Sequence, residues 1–224
     1  MKTKMKLYVS VFLIVILSSY SKAQDSIVKI IKQKSPIPAE ILVGNNRLYY
    51  QMIINRNISE NNKLGFLNIS SYTADNKNDI TKNEYFSSTI IYYNIYKGIS
   101  VNTGGTFNSS EGIKPYLGLQ YMYSNKTISL LYFPSYYFIG YHKITNLAMI
   151  EFKPKLNKKL SIYSRLQMTY SQNIEKNLHV RSYLYGRLGL TYNKFTLGAG
   201  LNFDWYGEKK SLKENYGAFF KVNL

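Results

Sequence analysis

The stretch that decides the fold is FTLGAGLNFDW, which runs from Phe195 to Trp205. One set of alternate positions comprises Phe195, Leu197, Ala199, Leu201, Phe203 and Trp205, and the other comprises Thr196, Gly198, Gly200, Asn202, Asp204 and Tyr206. Successive side chains of a β-strand point to opposite faces, so this alternation predicts a strand with one apolar and one polar face. Such a strand is longer than the ~5–6 residues typical of soluble sheets and long enough to cross a bilayer.

The same alternation recurs along most of the chain. It predicts eleven strands, at residues 47–58, 63–75, 84–95, 98–108, 113–124, 127–135, 143–154, 159–173, 178–192, 195–206 and 214–224. The links between them alternate between tight turns and longer loops, which is typical of an outer-membrane barrel. The predicted fold class is therefore all-β, a transmembrane antiparallel up-and-down β-barrel of about twelve strands.

The N-terminal segment decides the strand number. If the tight turns are periplasmic, the strand at 47–58 begins outside, so a periplasmic N-terminus needs one more strand before it. Ser26 to Lys32 is the candidate, followed by a proline-containing link that ends at Gly44-Asn45-Asn46. Residues 24–46 can instead form an arm or an internal plug, which leaves a ten-stranded barrel if another segment is misassigned.

Residues 1–23 have the order of a secretory signal peptide: three early lysines, the apolar run from Leu7 to Leu17, and Ser21-Lys22-Ala23. The remaining residues, 24–224, are expected to form the barrel. Cleavage would lower the net charge of the chain from +17 to +13 by removing four lysines. An exported chain does not meet genomic DNA, so a nucleic-acid partner is not expected. The sequence contains no cysteine, which excludes disulfides, thiolate metal sites and a cysteine nucleophile.

Taken together, the signal peptide, the alternating strands, the tyrosine-rich strand ends and the aromatic final strand resemble bacterial outer-membrane β-barrel proteins. The resemblance covers essentially the whole mature chain. It implies localisation in the outer membrane of a Gram-negative cell envelope. The final strand, Tyr216 to Leu224, is similar to the segment that the barrel assembly machinery recognises, although that segment usually ends in Phe or Trp.

The strand phase also predicts which charged side chains line the lumen. These are Arg47, Lys114, Glu151, Lys153, Arg165, Arg181, Arg187, Asp204 and Lys221. Two interpretations remain open. Either Glu151 and Asp204 pair with Arg165 and Arg187 in a closed lumen, or the excess of basic groups lines a porin-like pore that favours small anionic solutes.

The two histidines, His142 and His179, are predicted at the extracellular rim. Outer-membrane lipid-modifying hydrolases, of the lipid A deacylase or phospholipase type, are an alternative function. Regular strand phase places Ser182 on the opposite face from His179 and places Arg181 and Tyr183 on the same face as His179. No nucleophile, base and orienting group therefore come together, and no catalytic residue, metal site or cofactor is predicted.

Four aromatic residues are predicted members of the girdles at the membrane interfaces: Tyr121, Tyr123, Tyr192 and Trp205. The expected partners are outer-membrane lipid, lipopolysaccharide and the assembly machinery. The predicted role is a porin-like or structural barrel with a basic lumen. The alternatives are the hydrolase already named and a barrel subunit of an envelope export complex.

Overall fold

The structure, a computed structural model, describes residues 36–59 and 63–224. Over these residues the chain forms twelve β-strands and one short 3-10 helix, Ile80–Lys82. The strands are β1 (Pro38–Gly44), β2 (Arg47–Asn57), β3 (Leu64–Asp75), β4 (Glu84–Tyr96), β5 (Ile99–Asn108), β6 (Gly112–Ser124), β7 (Ile128–Tyr137), β8 (Lys143–Phe152), β9 (Leu160–Asn173), β10 (Leu178–Tyr192), β11 (Phe195–Tyr206) and β12 (Ser211–Asn223).

The strands close into a barrel in which each pairs with its neighbours in sequence and β1 pairs with β12. The closing ladder is antiparallel and runs from Pro38 opposite Asn223 to Gly44 opposite Gly217. A closed barrel has no free strand edge, so its backbone groups find partners without water. The predicted all-β, up-and-down, twelve-stranded barrel is confirmed.

The position of the first strand differs from the prediction. Ser26 to Lys32 lies outside the described residues, and the strand that closes the barrel is β1, within the segment predicted as a link or a plug. The segment from Ala39 to Val43 alternates in the same way as the other strands, with Glu40 and Leu42 buried and Ile41 and Val43 exposed. Pro36 and Pro38 obscured this strand in the sequence, but Pro38 stands at its first residue, where proline is tolerated in a sheet.

The outward face of the barrel is apolar. On β10 and β11, Leu188 and Leu197 are each 64% exposed, and Leu190 between them is also exposed. A water-facing sheet would place polar side chains at these positions, so the exposed leucines indicate contact with hydrocarbon. Among the described residues, no helix has the length and apolarity needed to cross a membrane.

The two ends of the barrel differ. We call the end with the connections 45–46, 76–83, 109–111, 138–142, 174–177 and 207–210 the loop end. We call the other, where β1 begins and β12 ends, the terminal end. Two clusters of buried apolar residues pack inside the barrel, one around Tyr92, Tyr116 and Phe133 and the other around Leu42, Tyr163 and Phe219. The lumen is therefore filled over much of its height.

Candidate functional site

A cavity of about 650 Å³ occupies the loop-end half of the lumen. Its wall combines residues of most strands with residues of the loops, among them Asn83, Ser110 and Tyr141. It is within the size range of ~300–1,000 Å³ that is usual for small-molecule sites. We call this cavity the vestibule.

The floor of the vestibule is aromatic. The rings of Tyr183 and Tyr185 stack, with centroids 4.3 Å apart, and Tyr49 meets Tyr185 edge-on at 5.4 Å. Gln167 donates a hydrogen bond from Nε2 to the hydroxyl oxygen of Tyr183 at 3.0 Å. Strand phase brings these side chains together, because β2, β9 and β10 each present alternate residues to the lumen.

Three polar atoms at the vestibule have no hydrogen-bond partner among the residues that the structure describes. They are the Oε1 atoms of Gln51 and Gln167 and the Nε atom of Arg181. Buried polar groups in proteins are nearly always satisfied, so unpartnered atoms on three residues that line one cavity leave hydrogen-bonding capacity there for a polar solute or water.

One wall of the vestibule is backed by a connected network of five charged side chains, of which Glu84, Arg181 and Lys213 line the cavity. The Oδ1 atom of Asp204 lies 2.7 Å from Arg181 Nη2, and its Oδ2 atom lies 3.4 Å from Arg47 Nη2. Glu84 accepts a bond from Lys213 Nζ at 2.9 Å and lies 3.7 Å from both arginines. The network has three basic and two acidic groups, so this wall is positive overall.

The mouth of the vestibule has a further cluster, which we call the latch. Glu111, in the connection between β5 and β6, pairs with Lys143 at 2.5 Å and accepts a hydrogen bond from the hydroxyl of Tyr141. Burial alone raises the pKa of Glu111, but the hydrogen bonds from Lys143 and Tyr141 outweigh it and hold this pKa below its usual range. The latch thereby ties two separate segments of the loop end together, the connection between β5 and β6 and the chain from Tyr141 to the start of β8.

Below the vestibule, a buried group of charges fills the terminal half of the lumen, and we call it the plug. Glu40 Oε1 accepts a hydrogen bond from Arg165 Nη2 at 2.8 Å and another from Arg187 Nε at 2.7 Å. All three side chains are at most 2% exposed. Beside them Lys221 Nζ lies 3.9 Å from Glu151 Oε1 and 3.8 Å from the ring centroid of Tyr163.

The predicted partners of the plug arginines were wrong. Arg165 and Arg187 pair with Glu40 and not with Glu151 or Asp204. Glu151 instead pairs with Lys153 at 2.8 Å, and Asp204 belongs to the charged network behind the vestibule wall. Glu40 is absent from the predicted lumen residues because the sequence pattern predicts a link where β1 lies, although the residues around Glu40 alternate as a strand does.

Each of the nine predicted lumen residues lies on the inward side of its strand or at a rim. Five contribute to the vestibule wall or to the plug as described above, and Glu151, Lys153 and Lys221 form the group beside the plug. Lys114 lies at the loop-end rim, where its Nζ atom donates to the carbonyl of Ile139 at 3.4 Å. The ion pairs of the structure involve five charged residues that the prediction lacked. Three are acidic, Glu40, Glu84 and Glu111, and two are basic, Lys143 and Lys213. The excess of basic over acidic side chains in the lumen is therefore smaller than predicted.

The two histidines lie at the loop end and differ in their surroundings. His142 stacks on Tyr136, and its ring lies 3.5 Å from Glu175. Both ring nitrogens of His179 are hydrogen-bonded. Nδ1 lies 2.6 Å from the carbonyl oxygen of Gly207, and Nε2 lies 3.0 Å from the hydroxyl oxygen of Ser182.

The phase assigned to His179 was therefore wrong. A β-bulge shifts the register between His179 and Arg181, because His179 stands opposite Gln172 and Arg181 stands opposite Ser171. The extra residue places His179 and Ser182 on the same face, and Arg181 and Tyr183 on the other. A bulge of one residue does not change the alternation of apolar residues on either side of it, so the sequence gives no signal of this bulge.

The predicted girdle residues point away from the lumen. Tyr121, Tyr123 and Tyr192 are 37%, 48% and 54% exposed and lie towards the terminal end, whereas Trp205 lies towards the loop end. Several further tyrosines, such as Tyr96, Tyr170 and Tyr216, are exposed in the same way. Among the described residues, no group of three or more His, Asp or Glu side chains is arranged to hold a metal ion.

A closed barrel of twelve strands, with an apolar outer face and a polar interior, defines the class: the protein is a transmembrane β-barrel of the bacterial outer-membrane type. In fold it is a porin-like barrel.

Several solved structures resemble the chain. It is similar to the NanC porin, with 12% identity over 85% of this chain and 99% of that one and a TM-score of 0.49. It is similar to the KdgM porin, with 12% identity over 84% and 98% and a TM-score of 0.45. It is also similar to OmpT, an outer membrane protein of Vibrio cholerae, with 7% identity over 88% and 100% and a TM-score of 0.39. The chain matches no protein-family model. No curated protein matches it in sequence.

Proposed function

We propose that the protein takes a small anionic solute, of the size and chemistry of a carboxylated sugar, into the vestibule from the loop end. The observation that carries the proposal is the unpartnered set at the vestibule, Gln51, Gln167 and Arg181, beside an aromatic floor. Amide and guanidinium groups hydrogen-bond hydroxyls and carboxylates, and flat rings pack against the C–H faces of a sugar.

The charge of the vestibule supports an anion over a cation. Its wall network carries one more basic than acidic group, and Lys82 and Lys143 also line the cavity against the single carboxylate of Glu111. Rings of fixed charge bias the entry of ions of the opposite sign. The plug lies beneath the floor, so passage beyond the vestibule depends on the plug.

Isothermal titration calorimetry of the refolded barrel in detergent tests this proposal, with glucuronate as the probe and glucose as its neutral match. Glucuronate should bind more tightly than glucose, and Gln51→Leu should weaken binding about tenfold, the worth of one hydrogen bond to a charged ligand. Gln172→Leu on the outer face is the matched control and should bind as the wild type does. Equal affinity for the two sugars, or equal affinity of the two variants, would contradict the proposal.

Residues 1–23 lie outside the described residues, and we propose that they direct export and are then removed. The basic start and the apolar run from Leu7 to Leu17 support this role. The proposed partners are outer-membrane lipid, lipopolysaccharide and the barrel assembly machinery. The last of these would recognise the strand from Tyr216 to Leu224, which forms half of the barrel seam with β1.

A further inference from the structure

His179 and Ser182 form a hydrogen-bonded pair on the outer surface of the barrel, near the loop end of β10. His179 Nε2 lies 3.0 Å from Ser182 Oγ, and His179 Nδ1 lies 2.6 Å from the carbonyl oxygen of Gly207. The flanking residues Arg181 and Tyr183 line the vestibule, so Ser182 between them faces the other way, towards lipid.

The contact with Gly207 decides the proton positions. A backbone carbonyl only accepts hydrogen bonds, so Nδ1 must carry the ring proton. In the neutral ring Nε2 then has a free lone pair and accepts the hydroxyl proton of Ser182. Nucleophile, base and orienting group thus stand in the order found in serine hydrolases, with a carbonyl in place of the orienting carboxylate.

The surroundings of the pair belong to the membrane interface. Register places Ser182 level with Tyr170 on β9 and Trp205 on β11, and the ring of Tyr170 lies 5.6 Å from that of His179. Exposed lysines stand in the two adjoining connections, Lys176 in one and Lys209 and Lys210 in the other. Aromatic rings at this depth meet acyl chains near the head groups, and lysines at the rim meet phosphate.

We propose that Ser182 and His179 form an acyl-transfer site that acts on long-chain carboxylic esters of outer-leaflet lipids. Ser182 Oγ forms a bond to the ester carbonyl carbon while His179 Nε2 takes the hydroxyl proton. The bond from that carbon to the alcohol oxygen breaks, and the leaving alcohol receives the proton from His179. Water then attacks the acyl-serine, again with His179 as base, which releases a fatty acid and restores the serine.

Labelling with hexadecylsulfonyl fluoride tests the site independently of which lipid carries the ester. The reagent sulfonylates an activated serine with loss of fluoride, and mass spectrometry of the refolded mature chain locates the adduct. The adduct is expected on Ser182, is absent in Ser182→Ala, and forms about 100-fold or more slowly in His179→Ala because the general base is lost. His142→Ala is the matched control and should label as the wild type does, and heat-modifiable gel migration checks that every variant is folded.

Two lipid arms distinguish the source of the ester: phosphatidylethanolamine and hexa-acylated lipid A, each in mixed detergent micelles. Release of fatty acid from either, dependent on Ser182, is the expected result and identifies the substrate. Failure of folded wild-type protein to label at Ser182, or equal labelling rates in His179→Ala and wild type, would overturn the site. If Ser182 is labelled but neither lipid loses a fatty acid, the proposal that the site acts on lipid esters is contradicted.

Discussion

At the residue scale, Glu40 pairs with two guanidinium groups that have little access to solvent. Its Oε1 atom accepts from both Arg165 and Arg187, and all three side chains are buried. Removing one partner of a buried ion pair leaves an uncompensated charge, which typically costs about 3–5 kcal/mol. Glu40→Gln should therefore lower the free energy of unfolding by about this amount, measured by urea titration of the barrel in vesicles. Glu214→Gln, at an exposed position of β12, should leave it nearly unchanged, and equal midpoints for the two variants would contradict the assignment.

Glu111 gives the loop end a pH dependence. Its pKa is below the usual range, so its contribution is fully present above the ordinary carboxyl pKa and is lost as the pH falls through the lowered value. Hydrogen exchange of the segments around Glu111 and Tyr141 should therefore accelerate only in acid, below the ordinary pKa of a glutamate. Glu111→Gln should show the faster exchange already at neutral pH. Glu208→Gln, an exposed carboxylate in another connection, serves as the control, and an unchanged pattern in Glu111→Gln would refute the latch.

The inward direction of Arg165 and Arg187 was predictable, because a period of two fixes the side of a strand from the sequence alone. Which charges meet was not predictable. Glu40 is 125 and 147 residues away from the two arginines it bonds, and such pairs follow from the register of many strands.

At the scale of the element, a missing side chain on β11 makes room for the plug. A Cβ atom at Gly200 would lie 2.9 Å from Arg187 Cδ and 2.9 Å from Leu42 Cδ1. Gly200→Ala should therefore displace the Arg187 side chain from Glu40 and cost about 1–3 kcal/mol of unfolding free energy, as overpacking does. Gly105→Ala is the matched control, because the nearest atom to a Cβ there is 3.7 Å away. Equal unfolding midpoints for the two variants would show that the packing around Gly200 can accommodate a methyl group, which would contradict this prediction.

Two elements mark the limit of what the pattern could predict. β1 is only seven residues long and begins at Pro38, so it gave a weaker alternation than the long strands. β10 has fifteen residues and a strong alternation, yet its bulge reverses the phase at His179. The pattern therefore predicted eleven of the twelve strands and their direction, whereas bulges and short seams depend on the geometry of closing a barrel.

At the scale of the whole molecule, the barrel combines a loop-end half that holds the vestibule with a filled terminal half, and the plug separates the vestibule from the terminal end. A twelve-stranded barrel lies between eight-stranded barrels that side chains fill and sixteen-stranded barrels with open channels. Side-chain choice therefore decides whether this lumen conducts. The sequence predicted both a closed and an open state, and the buried trio of Glu40, Arg165 and Arg187 supports the closed one.

Planar-bilayer recording tests whether these three side chains close the lumen. The wild type should show no steady current, whereas the triple variant Glu40→Ala, Arg165→Ala, Arg187→Ala should show discrete steps. Removing all three charges together leaves no unpaired ion in the plug. The triple variant should therefore fold stably, whereas Glu40→Gln, which leaves two unpaired arginines, should lower the free energy of unfolding. Lys153 and Lys221 remain beside the opened path against the single charge of Glu151, so the reversal potential in a salt gradient should favour anions. The matched control is Glu208→Ala, Lys209→Ala, Lys210→Ala, which removes the same charges from an exposed connection and should stay silent. A silent plug variant that migrates as a folded barrel would show that the apolar clusters, rather than the ion pairs, close the lumen.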